Sequence, residues 1–202
     1  MAESKVNYII PSDKDLIWFS GFFDGEGCVT FHRFKRKDGD YAYELLLQVA
    51  GTHFVTLEHI GKMWGYGQVE KHLDKRVDEK ENWKPYWHWK IYGSKALFVL
   101  LNISPYLITK QSDARIGITF QTWKRKEVEM YGKSRRPESS YVKEQQLKDL
   151  LTEHHHQLFA PEYVSTKLLD ILKEDVSGYN VTFESYGDEP ENIQITNEVY
   201  KD

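Results

Sequence analysis

A helical hydrophobic period followed by two alternating segments occurs twice in the first hundred residues, and that order leaves few folds open. Ser12 and Asp15 read as a capping box ahead of an apolar helix expected over 13–24, with Gly25 and Gly27 ending it. Residues 28–37 alternate as a strand, Lys37-Asp38-Gly39-Asp40 is a turn signal, and Tyr41 to Val49 alternates back. The cycle repeats. Phe54, Leu57, Ile60, Gly61 and Trp64 give a helix over 53–64, and Gly65-Tyr66-Gly67 breaks it. Residues 68–74 and 85–92 then form a second hairpin around a charged connection at 74–84. Helices are expected at 94–101, stopped near Ser104-Pro105, and at 109–130, 140–156 and 161–174, with an exposed linker at 132–140. Residues 180–186 and 192–200 alternate again as a third hairpin with an acidic rim. The sum is an α+β pattern: a four-stranded antiparallel sheet, then C-terminal helices and a hairpin.

Composition narrows the function classes. The chain of 202 residues is 40% hydrophobic and 14% aromatic, enough to fold around a core. It has no apolar run of membrane-spanning length and no signal-peptide pattern at Met1-Ala2-Glu3-Ser4-Lys5, so an intracellular, non-secreted setting is expected, cytoplasmic or organellar. Cys28 is the only cysteine, which rules out an intrachain disulfide and a cysteine-rich zinc site. The net charge of −4 is unevenly placed. Residues 176–202 carry six acids against Lys201, whereas 110–136 carry eight bases against three acids. Net charge therefore neither requires nor forbids a polyanionic partner.

The segment Phe19-Ser20-Gly21-Phe22-Phe23-Asp24-Gly25-Glu26-Gly27 is the most informative. Gly21 and Gly25 are four apart and share one helical stripe, where a missing side chain lets a second backbone approach closely. Two such helices crossing about a two-fold axis would bring their Glu26 carboxylates together, and like charges held close call for a cation. Carboxylates with water suit Mg²⁺. Spacing alone favours an ordinary helix stopped by glycines, with Asp24 and Glu26 simply solvated.

Residues 19–27 resemble, position for position, the motif that names the LAGLIDADG homing endonucleases: Gly21, Asp24, an acid at 26, and Gly27 all fit. Gln48-Val49 at the end of the second strand, and Ser104-Pro105-Tyr106-Leu107-Ile108-Thr109-Lys110-Gln111 before the long helix, are similar to that family too. The resemblance covers roughly residues 10–130 and includes one copy of the motif. It implies a LAGLIDADG-like αββαββα core at 8–136; beyond it the sequence pattern adds helices at 137–176, expected to pack on the core, and an acidic hairpin extension at 177–202 that the family core does not explain. It implies a homodimeric, divalent-metal-dependent double-strand DNA endonuclease, using Mg²⁺ with Mn²⁺ or Ca²⁺ able to replace it for binding, and needing no membrane and no small-molecule cofactor. Glu26 and Lys110 would be catalytic, with Glu26 and Gly25 at the metal. Ile17, Gly21, Asp24 and Gly25 would brace the helix end and form the dimer interface. The family often carries a glutamine where this chain has Gly51. That departure keeps a second function in view, a non-catalytic DNA-binding regulator or an intron RNA maturase on the same scaffold.

The family lays its sheet into the DNA major groove. By that resemblance Thr30, His32, Phe34 and Arg36 face DNA from the first strand, Glu44 and Gln48 from the second, and Glu70 and His72 from the third; the basic run at 124–136, Lys124 and Arg125 included, fits the DNA backbone or else a solvated helix end. A charged strand face is equally well the wet side of any sheet. Trp83, Trp87 and Trp89 read as hairpin packing, and His154-His155-His156 as a solvated patch, because adjacent helical side chains diverge.

Overall fold

The computed structural model describes residues 8–37, 39–72, 85–132 and 136–173. Helix α1 (Asp13–Glu26) begins where Ser12 Oγ accepts the Asp15 N–H at 3.3 Å, closing the expected capping box. It runs two residues beyond the expected end, so Gly25 and Glu26 lie in its last turn. The chain passes into β1 (Gly27–Lys35) without a loop, and the Gly27 N–H still bonds to Phe23 O. A Cβ at Gly27 would collide with the Phe23 ring, so only glycine allows this direct passage from helix to strand.

Strand β2 (Tyr41–Gly51) returns along β1. Helix α2 (Phe54–Trp64) follows and stops at Gly65, whose φ of 70° is left-handed. Strands β3 (Gln68–Lys71) and β4 (Trp87–Tyr92) come next, then α3 (Gly93–Ile103), a 3-10 turn at Ser104–Tyr106, and α4 (Gln111–Tyr131). Helices α5 (Glu138–Gln157) and α6 (Pro161–Lys173) end the described chain. The expected third hairpin and all of the 74–84 connection lie outside the described residues.

The four strands form one antiparallel sheet in the order β1-β2-β4-β3. Register splits its two faces cleanly. Val29, Phe31, Leu45, Leu47, Val49, Trp89 and Ile91 share one parity and face the helices, where Phe19, Phe23, Leu57, Ile60, Trp64, Leu100, Ile116 and Phe120 complete the core. Trp89 is fully buried, edge-on to Phe19, and its Nε1 donates to Tyr66 O at 3.2 Å, as expected of a packing tryptophan. Among the described residues the opposite parity has no helical layer except at its outer end, where Ala42 is buried and Arg36 lies over Tyr141 of α5.

Strand β4 pairs with β2 only from Leu46 onward, so the outer edge of β2 at 41–45 has no strand beside it. Side chains from α4 and α5 take its place. Glu144 accepts the Tyr43 N–H at 2.8 Å, Gln121 accepts the Leu45 N–H at 3.4 Å, and Lys124 donates to Tyr43 O. An unpaired buried backbone group costs about 1–3 kcal/mol, so these three side chains do the work of a missing strand. Arg136, expected in an exposed linker, is buried instead and pairs with Glu144 at 2.5 Å. The expected solvated histidine patch is also corrected. His154 and His155 bracket Asp113 of α4 at 3.5 and 3.4 Å, leaving His156 exposed. His154 Nδ1 accepts the Phe159 N–H, which places its proton on Nε2, facing Asp113.

Candidate active site and nucleic-acid interface

The end of α1 is held from below by the segment that leads into α4. Asp24 accepts hydrogen bonds from Ile108 N at 2.7 Å, Thr109 Oγ1 at 3.0 Å and Lys110 N at 3.0 Å. The Lys110 ammonium donates to Asp24 O at 2.6 Å. Burial pushes the Asp24 carboxyl up, but the hydrogen bonds from Ile108, Lys110 and Thr109 outweigh it and hold it below the ordinary carboxylate value. Asp24 is a brace tying α1 to the start of α4. Two residues on, Glu26 is exposed at the helix end, with Lys110 held at the same end through the Asp24 carbonyl.

Among the described residues, one face of α1 has nothing against it. Ile17 is 58% exposed, Gly21 and Gly25 follow on the same stripe, and a Cβ at either glycine would meet nothing within 4 Å. Trp18 stands beside them, 40% exposed, stacked on Phe22 at 5.6 Å. No group of three or more His, Cys, Asp or Glu side chains able to hold a metal occurs among the described residues. A single chain therefore offers one exposed carboxylate, Glu26, with the Gly25 backbone beside it. That donor set fits a hard divalent cation only as half of a site.

The helix-free face of the sheet collects the strand residues predicted to meet DNA. Register puts Thr30 opposite Leu46, His32 opposite Glu44, and Phe34 opposite Ala42, with Cys28 opposite Gln48 nearest the α1 end. Across the sheet Gln48 meets Lys90, which meets Gln68, and Glu70 meets His88. His72 continues that edge, stacked on Tyr86 at 4.5 Å. Burial raises the Cys28 thiol, and the nearby Asp113 carboxylate adds to that effect.

The fourth strand was missed as a contributor to this face. Gln68, His88, Lys90 and Tyr92 all share it, Lys90 pairing with Glu70 at 3.5 Å and Tyr92 lying edge-on to His32 at 5.5 Å. The signal was in the sequence: once Trp87, Trp89 and Ile91 alternate inward, 88, 90 and 92 must point outward. Burial, and then the charges of Lys90 and His72, lower the pKa of His88.

Three of the residues predicted to contact DNA have partners within the chain. The Lys124 side chain is only 11% exposed, ion-paired with Glu144 at 3.0 Å and bonded to Tyr43 O, so it closes the β2 edge. Arg36 lies over the Tyr141 ring at 3.4 Å and reaches Glu138 at 3.7 Å. Glu44 packs against Gly93, whose φ of +57° and lack of a side chain leave room for that carboxylate at the start of α3. Arg125 remains on the surface, its side chain 47% exposed and 4.0 Å from Glu129.

No family model matches the sequence, and no curated protein matches it. Solved structures do match in fold. The homing endonuclease I-CvuI, in complex with the I-CreI target, matches at 23% identity over 78% of this chain and 94% of that one, with a TM-score of 0.51. The archaeal intron-encoded homing endonuclease I-Vdi141I, complexed with DNA, matches at 13% identity over 79% of this chain and 97% of its own, with a TM-score of 0.55. I-SmaMI, bound to uncleaved DNA target in the presence of calcium ions, matches at 16% identity over 73% of this chain, with a TM-score of 0.51, and this chain spans 47% of it. The helix–hairpin–helix–hairpin order, the β1-β2-β4-β3 sheet and the glycine-striped helix ending in Asp24-Gly25-Glu26-Gly27 meet in these similarities: this chain has the fold of the LAGLIDADG homing endonucleases.

Proposed function

We infer that this chain is a site-specific double-strand DNA endonuclease of the homing type, active as a homodimer with a divalent metal, preferentially Mg²⁺. The observation that carries this is the half-built state of the α1 end. An exposed carboxylate, Glu26, stands at the tip of a helix whose Ile17-Gly21-Gly25 stripe is uncovered. A second copy crossing on that stripe would bring two Glu26 carboxylates and two Gly25 backbones together. It would also join two helix-free sheet faces into one extended surface. The similar proteins fit this reading, being homing endonucleases described with DNA and, for I-CvuI, with magnesium or calcium. I-SmaMI, of which the matched part of this chain covers 47%, suggests the same architecture joined in one chain.

In this arrangement Asp24 fixes the helix ends, and Lys110, held by the Asp24 carbonyl, supplies positive charge beside the scissile phosphate. Glu26 and Gly25 would hold the cation, which supplies Lewis-acid stabilisation of charge developing on the phosphoryl oxygens. Phosphate contacts around the sheet give affinity, and Thr30, His32, Gln48, Lys90 and Tyr92 present the groups for base selection.

One observation favours a second function on the same scaffold. At Gly51 a Cβ would meet nothing within 4 Å, so the family's customary glutamine has room there but is absent. A chain that binds its site without cutting it would follow from that loss. Cleavage of a plasmid library of randomised sites with Mg²⁺, wild type beside Glu26→Gln, decides between the two. Cutting by wild type alone supports the nuclease. Selective binding with no cutting by either protein assigns the chain to DNA binding.

A further inference from the structure

The outer end of the first hairpin carries cations on the helix side of the sheet that the site described above does not use. Arg33 lies opposite Tyr43 and Lys35 opposite Tyr41, on the same parity as Val29, Phe31 and Leu45. That parity points away from the open face. Val29 is buried and Phe31 half-buried, but Arg33, Lys35 and Tyr41 are exposed. The Arg33 guanidinium lies over the Tyr41 ring at 4.4 Å. Among the described residues neither Arg33 nor Lys35 forms an ion pair, unlike Arg36, Lys124 and Arg136 close by. Strand β1 is also an edge of the sheet, and among the described residues no strand lies along its outer side.

The fold delivers an acidic segment to this corner. Helices α5 and α6 are joined by Leu158-Phe159-Ala160 and share a core through Leu147, Leu150, Leu151, Val164 and Leu168, so α6 runs back along α5. Its start is fixed near the first turns of α4, where Arg115 donates to Ser165 Oγ. Its 13 residues, rising about 1.5 Å each, return the chain to about the level of Gln145. Gln145 accepts from the Tyr43 hydroxyl at 2.6 Å, and Tyr43 is the register partner of Arg33. The chain therefore leaves α6 on the side of the molecule where Arg33 and Lys35 lie. Residues 176–202 follow, with six acids against Lys201. At about 3.3 Å per extended residue they are long enough to run the whole length of the nine-residue β1.

We propose that the acidic C-terminal segment 177–202 docks on this corner, its carboxylates against Arg33 and Lys35 and its alternating stretch at 180–186 along the open edge of β1. Each exposed ion pair is weak in water, but the tether makes the encounter intramolecular. An extended segment laid on a free edge also satisfies backbone groups that an edge strand leaves open. The open face of the sheet keeps its own side chains clear. A polyanion approaching the end of the hairpin has to displace the tail. The tail thus acts as a brake on sequence-independent DNA binding, a consequence that rests on the proposed function; the docking itself does not.

The test uses the full chain. Carbodiimide joins carboxylates to lysine amines in contact with them, and peptide mapping of the monomer fraction identifies the pairs. Glu184, Asp188, Glu189 or Glu191 should join Lys35 or Lys37, and the product should fade between about 0.05 M and 1 M salt as the ion pairs are screened. Tail acids joined to no lysine of the first hairpin, or joined to it only between chains, overturn the proposal. The second measurement is affinity for random-sequence duplex DNA. Neutralising the tail (Glu184→Gln, Asp188→Asn, Glu189→Gln, Glu191→Gln, Glu198→Gln and Asp202→Asn together) should tighten binding by about tenfold at low salt. Arg33→Gln with Lys35→Gln should remove most of that gain. An equal gain in the presence of both hairpin substitutions means that the tail acts through net charge alone, which also overturns docking. If wild type crosslinks as expected but no form binds duplex, the nuclease reading fails and the docking stands.

Discussion

The two ends of the first hairpin are finished in opposite ways. At the near end, where α1 meets β1, a surface carboxylate, Asp24, bonds three consecutive residues of the next segment, and the adjoining helix face is left bare. At the far end, where β2 outruns β4, an enclosed carboxylate, Glu144, is surrounded by Lys124, Arg136 and the Tyr43 N–H. The near end is firm in the backbone and incomplete as a surface. The far end is complete within the chain, and the chain's stability depends on it. Glu26, exposed beside Asp24, is available to chemistry, whereas Asp24 and Glu144 are committed to the fold.

The sharpest way to break the comparison is Glu144→Ala. It strands two buried cations and a backbone N–H, so unfolding in urea should show a loss of about 3–5 kcal/mol. A loss under 1 kcal/mol would mean the far end is not held as described. Asp24→Asn should cost less, about 1–2 kcal/mol, because its carboxylate is partly solvated. Its pH dependence has a definite sign. The folded pKa lies below the ordinary value of 3.8, so the stabilisation is present above 3.8 and is lost as pH falls through the folded value. Wild type should lose stability there faster than Asp24→Asn in acid unfolding.

Gly21→Ala separates fold from function at the near end. An exposed helical glycine replaced by alanine, with nothing within 4 Å, should raise the stability of the isolated chain by about 0.5–1 kcal/mol. If the stripe is a pairing face, the same change should weaken self-association in sedimentation velocity. Gain of stability without any change in association would remove the dimer from the mechanism.

The smallest expected effect concerns His155. Its hydrogen bond to Asp113 raises its pKa above 6.5 against the opposing effect of burial. The stabilisation is therefore full below 6.5 and fades as pH rises through the folded value. His155→Gln should lower stability at pH 6 by less than about 1 kcal/mol, since the pair is partly exposed and screened, and should change little at pH 9.

Much of the fold was legible because it is local. The capping pair Ser12 and Asp15, the left-handed Gly65 and the strand parities each depend on residues within a few positions of one another. Asp24 and Glu26 could be told apart only by family resemblance, since both are acids at a helix end. The structure supplies the physical difference: one accepts three hydrogen bonds from residues 84 to 86 positions later, and the other faces solvent. The intrachain partners of Lys124 and Arg36 were hidden for the opposite reason. A basic residue on a helix or strand looks the same in sequence whether it meets water, DNA or a buried carboxylate.

By itself, then, the sequence determined the order of the elements, which strand residues share a face, and the glycine-edged helix that ends in Glu26. Hydrophobic period and turn chemistry act over short distances and need no tertiary context. Only the tertiary structure decided that β2 outruns its neighbour, and that Glu144, 101 residues after Tyr43, closes the gap with its ring of cations. Burial turns a charge from a surface group into a structural one, and burial is set by whatever the fold brings alongside.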